Sequence, residues 1–195
     1  MNPLDASSIR YQAAPLKQYV DNLAAKLPAP GGGSAAALTA CLGASLISMV
    51  INFTLGKPKY AQYENELKEY LAKSEQLRNA LLNLVDLDIV AYTSKNIRDS
   101  LDIPFMVCRL CHEGIKLCPP LIKKGNVNLI SDVAVAAILL ESSFSSAYFN
   151  VQINLKLLGD KKLALAMNKE LLLKGKTIKR MRLQTEAKVD EIIRG

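Results

Sequence analysis

Glycine and proline are sparse in this 195-residue sequence, with 10 and 8 residues, and segments in which Val, Ile or Tyr alternate with polar residues are hard to find. Few turns and few half-buried strands are therefore expected, which argues against a hairpin-rich β-fold. Half of the residues are hydrophobic and 22% are charged. A chain of this length and composition can bury a core, so we expect an ordered chain with one domain over residues 1–195.

No basic segment followed by a short apolar core opens the chain, so export is not expected. We therefore expect a cytoplasmic protein with reduced cysteines. Cys108-Arg-Leu-Cys111-His112 matches the attachment pattern for a c-type haem, and Cys118 would add a zinc ligand. His112 is the only histidine, haem attachment needs an exported protein, and the neighbouring apolar residues suit a packed helix. No metal is expected.

The formal charge of +7 allows nucleic acid, an anionic membrane surface or an acidic small ligand as a partner. Much of the excess lies between Lys156 and Arg182, interleaved with Leu, Ala and Met at helical spacing. Nucleic-acid binding would need exposed aromatic residues or glycines there. A solvated helix face is the favoured interpretation, and no nucleic-acid partner is expected.

The segment from Ser34 to Gly56 has no charged residue and is long enough to raise the question of a membrane span. It is rich in Ala, Gly, Ser and Thr, and no other segment is expected to be a comparably clean span. We interpret it as the buried central helix of a bundle and expect no membrane partner.

Apolar periodicity and breakers predict an all-α, up-and-down helical bundle. The first predicted helix is amphipathic, with Leu16, Tyr19, Val20 and Leu23 on its apolar side, and Ser34 is a candidate cap for the second. The predicted helices are, in chain order, 15–27, 34–55, 60–96, one opened by Pro104 and interrupted by Pro119-Pro120, 131–158 capped by Ser131, and a basic helix from 161 to the C-terminus.

Asp88 is the best candidate for an acid or base. It falls within the apolar side of the 60–96 helix, which is formed by Leu77, Leu81, Leu84, Val85, Ile89 and Tyr92. Asp86 faces nearly the opposite way, so the two are not an adjacent pair. Partial burial would raise the pKa of Asp88 toward the range useful for proton transfer. A structural carboxylate bonded to a helix end or a lysine remains the alternative.

Two helices carry polar residues along one line. On the second helix these include Ser34, Ser45 and Ser48, and on the 131–158 helix they include Asn150 and Asn154, which we expect to point inward. Such residues either bond across packed helices or line a cleft for a polar heterocycle. The glycines before Ser34 present a helix N-terminus that can bind an anion, although a flexible entry turn is the stronger interpretation.

Taken together, five blocks resemble the formiminotetrahydrofolate cyclodeaminase and methenyltetrahydrofolate cyclohydrolase family. They occur in the family order and span nearly the whole chain. The blocks are Pro30-Gly-Gly-Gly-Ser34, Asn52-Phe-Thr-Leu-Gly-Lys-Pro-Lys-Tyr60, Val85-Asp-Leu-Asp88, Gly125-Asn-Val-Asn-Leu-Ile-Ser-Asp132 and Ala147-Tyr-Phe-Asn-Val-Gln-Ile-Asn-Leu155.

The resemblance implies an all-helical homodimer that binds a tetrahydrofolate derivative in a cleft and forms or opens its methenyl bridge without a metal. It also implies that Asp88 is the catalytic residue. Other residues matched by the resemblance are Gly32, Gly33 and Ser34 at the cleft, Lys57 or Lys59 at the glutamate tail of the folate, and Asn126, Asp132 and Asn150 at the pterin or in support of the site.

One departure separates the sequence from the family pattern. The Leu-Pro-Lys element expected after the aspartate is absent, and Ser94-Lys95-Asn96-Ile97-Arg98 stands in its place. Lys95 or Arg98 would have to substitute for the missing lysine. The departure motivates an alternative hypothesis, a non-catalytic helical dimer that serves as a binding or regulatory subunit. The sequence leaves open whether an active enzyme would be a cyclodeaminase or a cyclohydrolase.

Overall fold

A computed structural model describes residues 10–195. Within them no residue is in a strand, and the predicted all-α bundle is confirmed. The α-helices are α1 (Leu16–Ala24), α2 (Gly32–Asn52), α3 (Glu64–Thr93), α4 (Ile97–Ile115), α5 (Cys118–Lys124), α6 (Ile130–Leu158) and α7 (Lys161–Arg194); short 3-10 turns cover Tyr11–Ala13, Pro58–Tyr63 and Val127–Leu129.

Helix α2 lies at the centre, packed between α3 and α6, while α4 packs against both α6 and α3. The small residues of α2 allow its close approach to α6: a Cβ on Gly43 would lie 3.0 Å from Leu140 Cγ and 3.2 Å from the Ala136 carbonyl oxygen. Helices α2 and α6 run antiparallel, because Gly32 lies beside Asn150 at one end and Asn126 bonds to the chain just after α2 at the other. One hydrophobic core is shared by these helices.

Several predicted helix ends were wrong. Helix α4 begins at Ile97, where the Asn96 side chain accepts hydrogen bonds from two backbone N–H groups, and Pro104 lies inside it. Ser34 is not the cap of α2: Gly31 holds that position, and the Ser34 hydroxyl donates to the Val85 carbonyl oxygen at 2.9 Å. A capping side chain satisfies the local helix end, whereas this hydroxyl links α2 to α3.

Helix α1 is less buried than its periodicity predicted. Tyr19 is buried, but Leu16, Val20 and Leu23 are exposed. The 3-10 turn before it contacts α3, and Tyr11 packs edge-on against Tyr19 with ring centroids 5.3 Å apart. The N-terminal segment is therefore attached to the bundle mainly through two tyrosines.

Two helical segments, α2 and Val127–Leu158, are long and apolar enough to cross a membrane. The second was not expected from the sequence. The buried core helix of a bundle meets the same criterion, and α2 is mostly buried. Helix α6 is more exposed and leaves apolar side chains on its outer face.

All four cysteines are buried free thiols. Cys108 and Cys111 lie on the core side of α4, where burial raises the pKa of Cys108 to about 12. The Cys108 thiol donates to the Phe144 carbonyl oxygen on α6. These side chains pack as small apolar groups, and among residues 10–195 no cluster of three or more His, Cys, Asp or Glu is arranged to hold a metal ion.

Candidate active site

A cleft of about 300 Å³ lies where the N-terminus of α2 meets the last turns of α3, the start of α4 and the last third of α6. The loop before α2 forms its rim. It is lined by Pro28, Ala29, Gly31, Gly32, Gly33, Asp88, Tyr92, Ser100, Asn150, Ile153, Asn154 and Leu157. The cleft is mixed in character, with apolar side chains on α6 and a small set of polar groups, as is typical of sites for small molecules.

Asp88 is the acidic residue that lines this cleft. Its Oδ2 accepts a hydrogen bond of 2.8 Å from the backbone N–H of Ser34, one of the free donors at the start of α2. Burial raises the pKa of Asp88 to about 6, and the bond from Ser34 offsets part of that rise. A carboxyl group with this pKa exchanges protons near neutral pH.

Gly33 is the residue that permits this contact. A Cβ at position 33 would lie 2.1 Å from Asp88 Oδ1 and 2.7 Å from its Cγ, so no other side chain fits while Asp88 stays in place. A Cβ at Gly32 would lie 3.6 Å from Asn150 Oδ1, which is ordinary contact. The glycine run by itself favours a flexible turn, but in the structure Gly33 is needed for close packing against a carboxyl group.

The opposite wall comes from α6. Asn150 donates from Nδ2 to the Ser146 carbonyl oxygen at 3.1 Å, and Asn154 donates to the Ser100 carbonyl oxygen at 2.5 Å. Both asparagines line the cleft, which is one of the two alternatives that their polar line left open. Ser100 was not predicted as a cleft residue, because Pro104 favours a later start for α4 than Ile97. Tyr92 was predicted on the apolar side of its helix, but 60% of this residue is exposed.

Behind the cleft, Ser34 is held from two further directions. Its Oγ donates to the Val85 carbonyl oxygen and lies 3.1 Å from the Tyr19 hydroxyl. Burial raises the pKa of Tyr19, the bond with Ser34 lowers it, and the nearby Asp88 raises it further. Tyr19 therefore remains a neutral phenol at physiological pH.

Ser34 lies just behind this cleft, and four other residues matched by the resemblance lie far from it. Lys57 and Lys59 are exposed after the C-terminus of α2, which has 21 residues and places them about 30 Å from Gly32. Asn126 belongs to the same far end: its backbone N–H donates to Thr54 Oγ1 and its Nδ2 to the Phe53 carbonyl oxygen. Asp132 lies in the first turn of α6, five helical turns before Asn150.

The lysine missing from the family pattern has no replacement in the cleft. Lys95 and Arg98 do not line it. Lys95 is exposed in a left-handed turn with φ of 55°, and Arg98 Nε donates to Asp102 at 2.9 Å. Within the described residues, the lining of the cleft contains no lysine, arginine or histidine.

Fold and cleft together define an all-helical protein with a half-buried carboxyl group held at a helix N-terminus. The sequence profile of the family described as Formiminotransferase-cyclodeaminase matches residues 15–95 and 93–172. The chain belongs to this family, and it is an enzyme of the family. The resemblance stated from the sequence is thus confirmed.

Three relatives show how far the similarity extends. A methenyltetrahydrofolate cyclohydrolase of Methylorubrum extorquens is 37% identical over 179 residues, which cover 80% of this chain and 86% of that protein. A formimidoyltransferase-cyclodeaminase of Rattus norvegicus is 30% identical over 73% of this chain, and the match spans 31% of that protein. The crystal structure of a formiminotetrahydrofolate cyclodeaminase from Thermotoga maritima superimposes with a TM-score of 0.80 at 26% identity, covering 94% of this chain and 98% of the other.

Proposed function

We propose that this enzyme interconverts 5,10-methenyltetrahydrofolate with 10-formyl- or 5-formiminotetrahydrofolate, with Asp88 as the proton carrier. The observation that supports this role is the position of Asp88, half-buried in the cleft with one backbone donor and a pKa raised to about 6. The names of the relatives support a folate substrate. We also propose that the enzyme is cytoplasmic.

In the cyclohydrolase direction, water adds to the methenyl carbon while ionised Asp88 takes one of its protons. The bond from this carbon to N5 then breaks, Asp88 returns a proton to N5, and the second water proton goes to solvent. In the cyclodeaminase reaction, N10 attacks the carbon of the formimino group, whose nitrogen is protonated. Asp88 carries the N10 proton to the resulting amine, and the bond from the carbon to that amine breaks to release ammonia. Both reactions require that one carboxyl group gain and lose a proton in each turnover.

The similarity of this chain to the Methylorubrum enzyme, which it matches over most of both lengths, favours the cyclohydrolase reaction. The absorbance of the methenyl cofactor measures cyclohydrolase activity, and ammonia release from 5-formiminotetrahydrofolate measures cyclodeaminase activity. Wild-type protein should act in the first assay. If both assays give wild type and Asp88→Asn the same activity, Asp88 takes no part in the mechanism. A wild type that is inactive in both assays would contradict the proposed function and favour the binding or regulatory subunit.

The pH dependence of kcat/KM should report Asp88. Because the base must be ionised to take the first proton, we expect kcat/KM to rise as the pH increases through about 6 and to level off above it. An ordinary surface aspartate would place this limb near pH 4. Initial rates between pH 4.5 and 8.5, corrected for non-enzymatic hydrolysis of the methenyl cofactor, test the prediction, and a limb near 4 would contradict it.

We also propose that the enzyme is a homodimer that pairs through the outer face of α2 and α6. This α2–α6 face carries exposed apolar side chains at Leu42, Val135, Ile138, Phe149 and Ile153. Exposed patches of this kind on adjacent helices are typical of protein interfaces. Ile153 also lines the cleft, so a partner on this face would border the candidate site.

A twofold pairing with the long helices antiparallel would place the far end of one copy beside the cleft of the other. The cleft lining lacks a cation, and Lys57 and Lys59 lie at that far end. The dimer would thus bring lysines from one copy to the anionic tail of a folate bound by the other. This arrangement accounts for the distance between the two groups of residues that the resemblance assigns to one site.

Ile138→Lys should convert the dimer to single chains, because burying a lysine ammonium in an apolar interface costs several kcal/mol. Leu165→Lys is the matched control, since Leu165 is 74% exposed on α7, away from the proposed face. Sedimentation velocity should give two chains per particle for wild type and for the control, and one chain for Ile138→Lys. A single-chain wild type at micromolar concentration would contradict the dimer.

A further inference from the structure

Asp86 is a carboxylate that the proposed chemistry does not use. It lies on α3 two residues before Asp88 and so projects toward a different side of the helix. Its Oδ1 accepts a hydrogen bond of 2.8 Å from the backbone N–H of Tyr11, while its Oδ2 is buried and has no hydrogen-bond partner among residues 10–195. A buried oxygen without a hydrogen-bond partner costs stability, so Asp86 is expected to have a role other than stabilising the fold.

The hydrogen bond that Asp86 accepts from Tyr11 attaches the N-terminal segment to the bundle. Tyr11, which donates this bond, also packs edge-on against Tyr19, and its hydroxyl accepts from Asn22 Nδ2 at 2.7 Å. Both tyrosines are buried, whereas the apolar side chains on the outer side of α1 are not. Asp86 therefore fixes one end of a short path that leads to the Tyr19 hydroxyl.

From the Tyr19 hydroxyl the path continues to Asp88. This hydroxyl lies 3.1 Å from Ser34 Oγ, and the backbone N–H of Ser34 donates to Asp88 Oδ2 at 2.8 Å. We infer that Asp86 is a positioning residue: by holding Tyr11 it fixes Tyr19 against Ser34, and so keeps the Ser34 N–H directed at Asp88. The inference rests on the proposed role of Asp88 and adds a residue to the machinery behind it.

Charge repulsion between the two aspartates is another way in which Asp86 could affect Asp88. It predicts a shift of the Asp88 pKa in the opposite direction when Asp86 is replaced. Removing a nearby negative charge would lower the pKa of Asp88, whereas loosening the Ser34 N–H would raise it, because that bond holds the pKa down. The other titratable groups near Asp88 are Tyr19 and Tyr92, and the side chains of α4 and α6 that line the cleft are neutral.

Asp86→Ala, Asp86→Asn and Tyr19→Phe together test the inference. The alanine variant loses the acceptor for Tyr11, and we expect its kcat to fall on the order of 10- to 100-fold, as small misplacements of catalytic groups do. The asparagine variant keeps an acceptor oxygen without the charge and should recover most of the activity. Tyr19→Phe keeps the ring packing but removes the hydroxyl beside Ser34, so it should shift the same way as alanine.

The decisive measurement is the titration of the Asp88 carboxyl carbon by 13C NMR in substrate-free enzyme, with Asp88→Asn to assign the signal. We expect its midpoint near pH 6 in wild type, higher in Asp86→Ala and Tyr19→Phe, and near wild type in Asp86→Asn. Asp21→Ala is the control, because Asp21 lies on α1 in an exposed pair with Lys17. It should change neither kcat nor the titration.

An unchanged or lowered midpoint in Asp86→Ala would overturn the inference, even if the melting temperature fell, since a purely structural role moves only stability. If Asp86→Ala does not fold, Tyr19→Phe decides alone. The titration does not depend on turnover. A wild-type enzyme without folate activity would therefore refute the proposed function, while an active enzyme with an unmoved Asp88 titration would refute only the role of Asp86.

Discussion

Asp88→Asn is expected to abolish turnover of 5,10-methenyltetrahydrofolate, lowering kcat on the order of 10³-fold, within the range that a positioned acid or base contributes. The amide oxygen can still accept the Ser34 N–H, so the cleft should keep its shape while losing the group that carries the proton. Substrate affinity should change much less than kcat, because proton transfer contributes only in the transition state. Single-turnover kinetics with a parallel binding titration would separate these quantities.

The same variant should be more stable than wild type above pH 6. The pKa of Asp88 is raised on folding, so this carboxyl group favours the folded state when it is protonated at low pH, and that contribution is lost as the pH rises through about 6. Asparagine never ionises. Urea unfolding should give nearly equal stabilities at pH 4 and an advantage for Asp88→Asn of up to about 3 kcal/mol at pH 8. A less stable variant at pH 8 would mean that the carboxylate is held for structural reasons.

Gly33→Ala is expected to have the second large effect. The new Cβ would lie 2.1 Å from Asp88 Oδ1, so either the carboxyl group or the start of α2 must move. A displacement of about 1 Å at the reacting group can reduce kcat on the order of 100-fold. Overpacking should also lower the free energy of unfolding by roughly 1–3 kcal/mol. Initial rates and urea unfolding measure the two effects.

Gly31→Ala is the matched control for this prediction. Gly31 lies two residues earlier, in extended backbone with φ of −133°, and a Cβ there would have no neighbour within 4 Å. Its effect on kcat and on stability should be far smaller than that of Gly33→Ala. Equal losses in the two variants would show that the glycine run serves flexibility, as the sequence alone suggested, and not contact with Asp88.

Much of the fold was accessible from the sequence. The apolar spacing identified the long helices, because their core-facing side chains repeat with the helical period. Errors occurred where a local signal has two meanings. Proline is typical of a helix start, but Pro104 lies inside α4; serine is typical of a helix cap, but the Ser34 hydroxyl bonds to α3. Leu16 and Val20 follow a buried pattern but are exposed, which periodicity within α1 cannot reveal.

The candidate site was accessible in part. Asp88 stood out because an acidic residue within an apolar stripe is unusual, and the line of asparagines on α6 was expected to point inward, without a choice between a cleft and packed helices. Gly33 was named only through the family resemblance, because nothing in a glycine run says which member touches a side chain 55 residues later. Ser100 and the path through Tyr11, Tyr19 and Asp86 had no signal, because each depends on a contact between separate helices.

The sequence by itself determined that the chain forms a helical bundle, which family it resembles, and which carboxyl group is unusually placed. These properties follow from side-chain period and from the order of short blocks along the chain. Only the tertiary structure decided that Asp88 meets the start of α2. Only the tertiary structure also decided that Lys57 and Lys59 lie about 30 Å from that helix start in the same chain. Periodicity specifies the face on which a residue lies, but the antiparallel packing of rigid helices specifies which ends come together.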